Sequence, residues 1–564
     1  MSLVLSGARF YWRTHLGVVL GAALAAMVLT GSLLVGDSVK ATLRRQAELR
    51  VGKASVALVG GDRFFRSQLA DDLGADAAPA LLLRGSVARV DGASRVNSAQ
   101  VMGVDARFWK LAPTPAADLA KDSIALNQRA AAQLGVKLGD TVILRVEKPG
   151  FFSKDAPLSG EENEVVAIRA PVARIIRDEE FGRFSLQASQ VPPSTVFLPL
   201  GFLQQRLSFI GRANLLLRSS TADFSAAVAT HWIVQDAGLE IRNLPATGGH
   251  ELRSPRVFLE PQIVAAAPPG LQSLTYLVNE LRAGEKAVPY SMVTALDVAK
   301  SGFLPQQLGD GEAVINQWLA DELGLAVGGK LTLKYFVMGE RRQLTEQSRE
   351  FTVAQILPMT EPQLDASWMP DFPGLSDKKN CRDWQPGFQM DTGRIRDQDE
   401  AYWQKFRGTP KAFLNLKVGQ EMWSNRWGKV TAIRYPATML EGALSSELRA
   451  KLTPEMVGLS FVPLREQALA ATKAPVDFGE LFVSFSFFLI AAAAVLTGLL
   501  FVFSLEQRNA EAGLLLALGL RPRQVRRLFL AEGAMLASVG ALLGVCGAVV
   551  YTKLVLRALA TVWS

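Results

Sequence analysis

Three stretches of this chain carry no charge for long enough to cross a lipid bilayer, and nothing else in the sequence restricts its fold as much. Leu16–Val35 runs 20 residues without a charged side chain. At about 1.5 Å of rise per residue, a helix of that length covers about 30 Å of hydrocarbon. Leu481–Leu505 and Gly533–Thr552 are two further uncharged runs, long enough to span with modest tilt. Their apolar residues go all round the helix, unlike the stripe of a surface helix. The first run follows Arg9 and Arg13, as a signal-peptide core would, but it is too long for such a core and is expected to be retained.

Between the second and third runs lies EQRNAEAGLLLALGLRPRQVRR, with Arg508, Arg521, Arg523, Arg526 and Arg527 against Glu506 and Glu511. A short loop with that excess of arginine is expected on the cytoplasmic side. Alternation then puts the N-terminus inside, everything from about Asp37 to Glu480 outside, and Ser564 outside. Gly17 and Gly21 in the first run, and Gly540 and Gly544 in the third, are spaced so that helix backbones can approach closely in lipid. Small residues are also simply common in membrane helices.

At 564 residues the chain is expected to form several structural units. Its net charge of +8 comes from basic residues interleaved with acidic ones, which argues against a nucleic-acid-binding face. Cys546 sits inside an apolar run and Cys381 far outside it, so a disulfide scaffold is excluded. His15, His231 and His250 are scattered, with no zinc-type spacing, and no metal site is expected.

The middle of the chain contains a repeat. IALNQRAAAQLGVKLGDTVILRV from Ile124 matches AVINQWLADELGLAVGGKLTLKY from Ala313, 189 residues on. Asn127 corresponds to Asn316, Gln128 to Gln317, Leu134 to Leu323, Gly135 to Gly324, and Gly139 to Gly328. Each copy reads as a helix with a glycine stop, then a tight turn into an alternating strand. A further strand follows each, at Glu164–Ile176 and Glu350–Leu357. GLAVGGK at Gly324–Lys330 fits most of a phosphate-binding loop, but Leu331 stands where Ser or Thr would hold magnesium, and a strand follows instead of a helix. Glu361–Asn380, with its prolines, glycine and charges, reads as an exposed loop. Beyond it, Trp384, Trp403, Trp423 and Trp427 either form an exposed stacking surface or cap a core. The second is favoured, with Tyr402 and Trp403 packed while Asp397, Asp399 and Glu400 stay solvated.

In the basic loop, Arg508–Leu518 suits a short helix, Gly519 its stop, and Pro522 the start of a second helix. On that second helix Arg523, Arg526 and Arg527 share one face and Val525, Leu528 and Phe529 another. Such arginines fit either anionic lipid headgroups or an acidic partner. The run RNAEAGLLLALGLRPRQVRRLFLAEGAMLASVGALLG resembles the FtsX/MacB type of ABC transporter permease. The resemblance rests on Arg508, Glu511, Gly513, Ala517, Gly519, Glu532 and Gly533, and on GDSVKATLRRQAELRVG after the first span. Ala512 departs from the larger aliphatic residue usual there.

The resemblance implies that Arg508, Glu511, Gly513, Ala517, Gly519, Arg521, Arg523, Arg526 and Arg527 form a coupling element contacting a cytoplasmic ABC ATPase subunit. It implies a non-catalytic permease in the cell inner membrane, with ATP bound by the partner and no cofactor of its own. ATP-driven motion would pass to an extracytoplasmic domain, for export or extraction of lipoproteins, peptides or amphiphiles. Three spans after that domain are usual and two are present, so truncation or a second permease polypeptide is expected; a homodimer is also compatible. The competing class is a membrane-anchored binding or adhesion protein without transport activity.

The expected fold is α+β: three transmembrane helices and a large extracytoplasmic region, like a MacB periplasmic domain, containing a duplicated module. The expected divisions are 1–36 (tail and first span), 37–240 and 241–480 (two outside modules), 481–505 (second span), 506–532 (hairpin), 533–556 (third span) and 557–564 (outside tail).

Overall fold

The computed structural model describes residues 2–150, 165–189, 191–221, 223–339, 343–372, 374–385, 390–472 and 478–562. The chain forms two compact units, one of Met1–Arg50 with Arg465–Ser564 and the other of Val51–Leu464.

The first unit is helical. Its three helices long and apolar enough to cross a membrane lie within Trp12–Val51, Phe478–Glu506 and Pro522–Val562. The first continues past its apolar run to Val51, because DSVKATLRRQAELRV holds no proline or glycine and is rich in good helix formers. Likewise, the second helix of the basic loop and the third apolar run are one 41-residue helix.

Packing among the spans is set by small residues. A Cβ on Gly540 would lie 2.6 Å from the Val19 carbonyl oxygen, and one on Gly544 2.4 Å from that of Ala23. The two backbones therefore touch there, as interhelical contacts in lipid favour. A Cβ on Gly21 would come within 2.4 Å of Thr497 Oγ1, whereas one on Gly17 would meet Leu500 at an ordinary 3.5 Å. Ser32 and Ser486 hydroxyls join the first and second spans at 2.9 Å.

The second unit holds two barrels of one design. In the first module, Ala77–Arg89, Arg95–Val104, Thr195–Pro199, Ile124–Asn127, Val165–Ile176 and Thr141–Glu147 pair in that order. The last pairs back to the first and closes the ring. In the second module, Leu271–Ala283, Lys286–Leu296, Ala412–Asn415, Glu312–Asn316, Leu344–Leu357 and Lys330–Met338 do the same. Closure removes the exposed edges that an open sheet would leave. Gly85 sits at the closing corner, where a Cβ would lie 2.5 Å from the Arg145 carbonyl oxygen.

Each barrel also carries a three-strand extension. Leu215–Arg218, Val56–Val59 and Ser460–Val462 extend the first, and Ala432–Tyr435, His250–Arg253 and Glu240–Asn243 the second. Ser460–Val462, which chain order assigns to the second module, thus completes the first. Leucine- and valine-rich cores fill both barrels, and a third core, with Trp232, Leu252, Ile433 and Leu448, is shared by both extensions.

The repeated residues have matching duties. Asn127 and Asn316 are buried at the N-termini of Gln128–Leu134 and Gln317–Leu323, accepting from the Ala130 and Leu319 amides. Gly135 and Gly324 end those helices in the left-handed region, and Gly139 and Gly328, both at φ +88°, turn the chain into the next strand. GLAVGGK is therefore a cap and turn leading into Lys330–Met338, with Lys330 paired to Glu350 at 3.3 Å.

Two local expectations are overturned. The described residues of 361–380 do not form an exposed loop: Leu364, Trp368, Met369, Phe372 and Leu375 are buried, because apolar side chains at irregular spacing pack onto the barrel around one short 3-10 turn, Ala366–Trp368. Asp399 is not solvated either. It is buried at the start of Asp397–Phe406, where its oxygens accept from Arg396 N, Nε and Nη2. Trp384, Trp403 and Trp423 are core residues, Trp423 stacking on Tyr276 at 5.4 Å and Trp384 meeting Trp403 edge-on at 4.8 Å.

Candidate functional site

The basic loop of the helical unit is a helical hairpin. Its first arm is Asn509–Ala517 and its second opens at Pro522, whose missing N–H and fixed φ suit a first helical position. Gly519, at φ +89°, makes the turn that a residue with a Cβ adopts only under strain.

Nine residues of this hairpin were singled out from sequence, and the structure divides them. Arg521, Arg523, Arg526 and Arg527 are exposed while Val525 is buried beneath them. Gly513 and Ala517 are exposed on the first arm, beside Leu514, Leu516 and Leu518. A Cβ on Gly513 would meet nothing within 4 Å. A mid-helix glycine costs about 0.5–1 kcal/mol relative to alanine, and no packing among the described residues requires it. Arg508 and Glu511 belong to the interior side instead.

Arg508 is only 3% exposed. Its Nε donates to Glu511 at 2.8 Å and its Nη1 to Glu532 at 2.8 Å, while the guanidinium lies 4.2 Å from the Tyr11 ring and 5.0 Å from that of Phe529. The Arg508 hydrogen bond holds the Glu511 carboxyl below its usual range. Buried His15 brings Nε2 to 3.6 Å from Glu532 Oε1. Gly7 leaves room for both charged partners, since a Cβ there would lie 3.0 Å from Glu532 Oε1 and 3.3 Å from Arg508 Nη2. One guanidinium thus ties the start of the hairpin to its own second helix, where that helix enters the third apolar run, and to the residues just before the first apolar run. Removing one partner of such a buried pair typically costs about 3–5 kcal/mol, because a charge is left uncompensated.

Tyr11 and His15 carried no signal in the sequence beyond their position before an apolar run. Glu532 did carry one, as a carboxylate at the mouth of another.

Residues 483–564 match the family model described as FtsX-like permease C-terminal. Over its last two apolar helices the chain thus carries an FtsX-like permease sequence pattern. That FtsX-like segment contains the whole hairpin and the Arg508–Glu511–Glu532 cluster. Among curated proteins, none matches this sequence. Among solved structures, the periplasmic region of MacB from Actinobacillus actinomycetemcomitans is similar at 13% identity, covering 32% of this chain and 82% of that one, with a TM-score of 0.21. The extracellular domain of the noncanonic ABC-type transporter YknZ from Gram-positive bacteria is similar at 11% identity, covering 29% and 79%, with a TM-score of 0.20. At those scores the family match, not the superpositions, carries the functional argument.

Proposed function

We propose that this chain is the permease subunit of an ABC transporter, and that its FtsX-like hairpin couples ATP hydrolysis by a separate cytoplasmic subunit to an extracytoplasmic domain. The observation that carries this reading is the family match over 483–564, centred on a hairpin that displays four arginines and three leucines around an unpacked glycine. The five arginines of the loop favour the cytoplasmic side, so Val51–Leu464 is assigned to the opposite side of the inner membrane. Within this reading ATP binds the partner, and lipid contacts the apolar helices.

Arg508 is a positioning residue in this scheme. It holds the two arms of the hairpin and the N-terminal residues as one piece, so force on the exposed arm reaches the spans without melting the turn. The exposed surface, not Arg508, meets the ATPase.

Gly513→Leu tests this directly. The substitution favours the helix by about 0.5–1 kcal/mol yet fills the space a partner would occupy. ATP hydrolysis that copurifies with the tagged wild-type chain is expected to be lost with Gly513→Leu and with Leu518→Glu, while membrane insertion is unchanged. A wild-type chain that brings down no ATP hydrolysis, or a Gly513→Leu chain that brings down as much, contradicts the proposal.

A further inference from the structure

Described residues 374–385 and 390–411 of the second module, from the connection between Leu344–Leu357 and Ala412–Asn415, line a cavity of about 30 Å³ together with Pro289–Met292. About 10–15 Å³ suffices for one water, so the space admits a ligand of a few heavy atoms. Lys411 lines it and is 4% exposed. Its Nζ lies over two aromatic faces, 4.4 Å from the Trp318 ring and 4.7 Å from the Tyr402 ring. No carboxylate or carbonyl among the described residues accepts a hydrogen bond from it. Trp384 and Trp403 also line the cavity, and each has a buried indole N–H with no acceptor among the described residues.

Other polar groups on the wall are engaged by the protein, Arg407 Nη1 donating to the Lys378 and Lys379 carbonyls and Tyr290 accepting from the Asp391 amide. Asp399 accepts three bonds from Arg396. Tyr402 donates to the Thr409 carbonyl and accepts from Asn316. Thr409 and Ser291 hydroxyls donate to the Phe406 and Pro289 carbonyls, and the Cys381 thiol donates to Glu400. The wall thus holds a surplus of donors: the Lys411 ammonium, without a protein acceptor among the described residues, and the buried, unmet indole N–H groups of Trp384 and Trp403. Leaving a buried indole N–H unmet typically costs about 1–3 kcal/mol. Water can meet that need, but each molecule also brings two hydrogens that require acceptors of their own. An anion brings acceptors alone.

We propose that this cavity is a binding site for a small carboxylate, held by Lys411 Nζ and the indole N–H groups of Trp384 and Trp403. The aromatic walls suit the flat faces of such a ligand, and the charge-assisted bond to Lys411 supplies most of its affinity. The first module has no counterpart, since the short connection 177–194 stands where this cap would be.

The test uses the full-length chain in detergent with formate as probe, isethionate holding the ionic strength constant. Formate is expected to raise the unfolding temperature saturably in the wild type, as a ligand bound to the folded state must. Lys411→Met is expected to weaken the apparent affinity by about tenfold or more, and Trp403→Phe, which keeps the ring and removes the N–H, by a smaller factor. Burial holds the Lys411 amine down at about 8. Asp399, Arg396, Glu322, Cys381 and Arg407 face it, and the Lys411 charge is lost between about pH 7 and about pH 9.5. The formate effect should therefore fade over that interval. No saturable rise in the wild type overturns the proposal, as does an equal rise in Trp403→Phe and Lys411→Met. If Lys411→Met fails to fold, Trp403→Phe and the pH series decide.

Discussion

The two barrels of Val51–Leu464 share strand order, closure and extension, yet they differ in two places. The first barrel takes its outer extension strand, Ser460–Val462, from the far end of the domain, whereas the second takes Glu240–Asn243 from just before its own strands. The second barrel also inserts 358–411, with its tryptophans and buried Lys411, where the first has only 177–194. Closed rings tolerate such additions because every strand of the ring keeps both neighbours. The scaffold is therefore the duplicated part, and specific chemistry is free to settle on one copy.

The paired asparagines offer the strongest way to break that comparison. Asn127 Nδ2 donates to the Gly182 and Pro193 carbonyls while its Oδ1 accepts from Thr195 N. Asn316 Nδ2 donates to Tyr402 and the Pro410 carbonyl. Alanine at either position strands several buried partners, with an expected loss of about 4 kcal/mol in denaturant unfolding of the domain. If one substitution is silent and the other is not, the two barrels are not held alike.

Acid sharpens the comparison next. Opposite Lys334 the second barrel places Glu280, while opposite the matching Arg145 the first places Ser86. Burial alone would push Glu280 up, but Arg282 and Lys334 outweigh it and hold the carboxyl down at about 2. A depressed carboxyl stabilises the fold above its unfolded value of about 4.5, and that contribution, about 3 kcal/mol, is lost as pH falls toward about 2. Glu280→Ser, which installs the first barrel's residue, should flatten stability against pH across that interval. An unchanged acid slope would remove Glu280 as its cause.

The smallest expected effect concerns Lys330. Its pair with Glu350 is exposed, so Lys330→Gln should change stability by no more than about 0.5 kcal/mol in the same unfolding measurement. A large loss would mean that the turn before it does more than reverse the chain.

Much of this architecture was legible in the residues. Asn127, Gly135 and Gly139 recur at fixed spacing because cap, helix stop and turn are local needs, each met by one residue type. The membrane spans were legible for the same reason, since charge is costly in hydrocarbon wherever it falls. Ser460–Val462 was not legible, because a three-residue edge strand is chosen by a partner hundreds of residues away. Nor was the burial of Arg508: five arginines in one loop look equivalent until Glu532, further along the hairpin's second helix, selects one of them. Asp399 failed likewise, as a carboxylate in a charged segment shows its need for solvent but not its Arg396 partner.

The central claim is that the FtsX-like hairpin and Val51–Leu464 lie on opposite sides of the membrane. Cys381 cannot report this, because it is buried and its thiol, desolvated and beside Glu400, is pushed up to about 12. Ala93→Cys, in an exposed turn of the first barrel, and Ala510→Cys, exposed on the hairpin, can do so in a Cys546→Ala background. With a membrane-impermeant maleimide and intact inner membranes, Ala93→Cys is expected to label at once and Ala510→Cys only after permeabilisation. Labelling of both from the same side, or of Ala510→Cys first, would contradict the account.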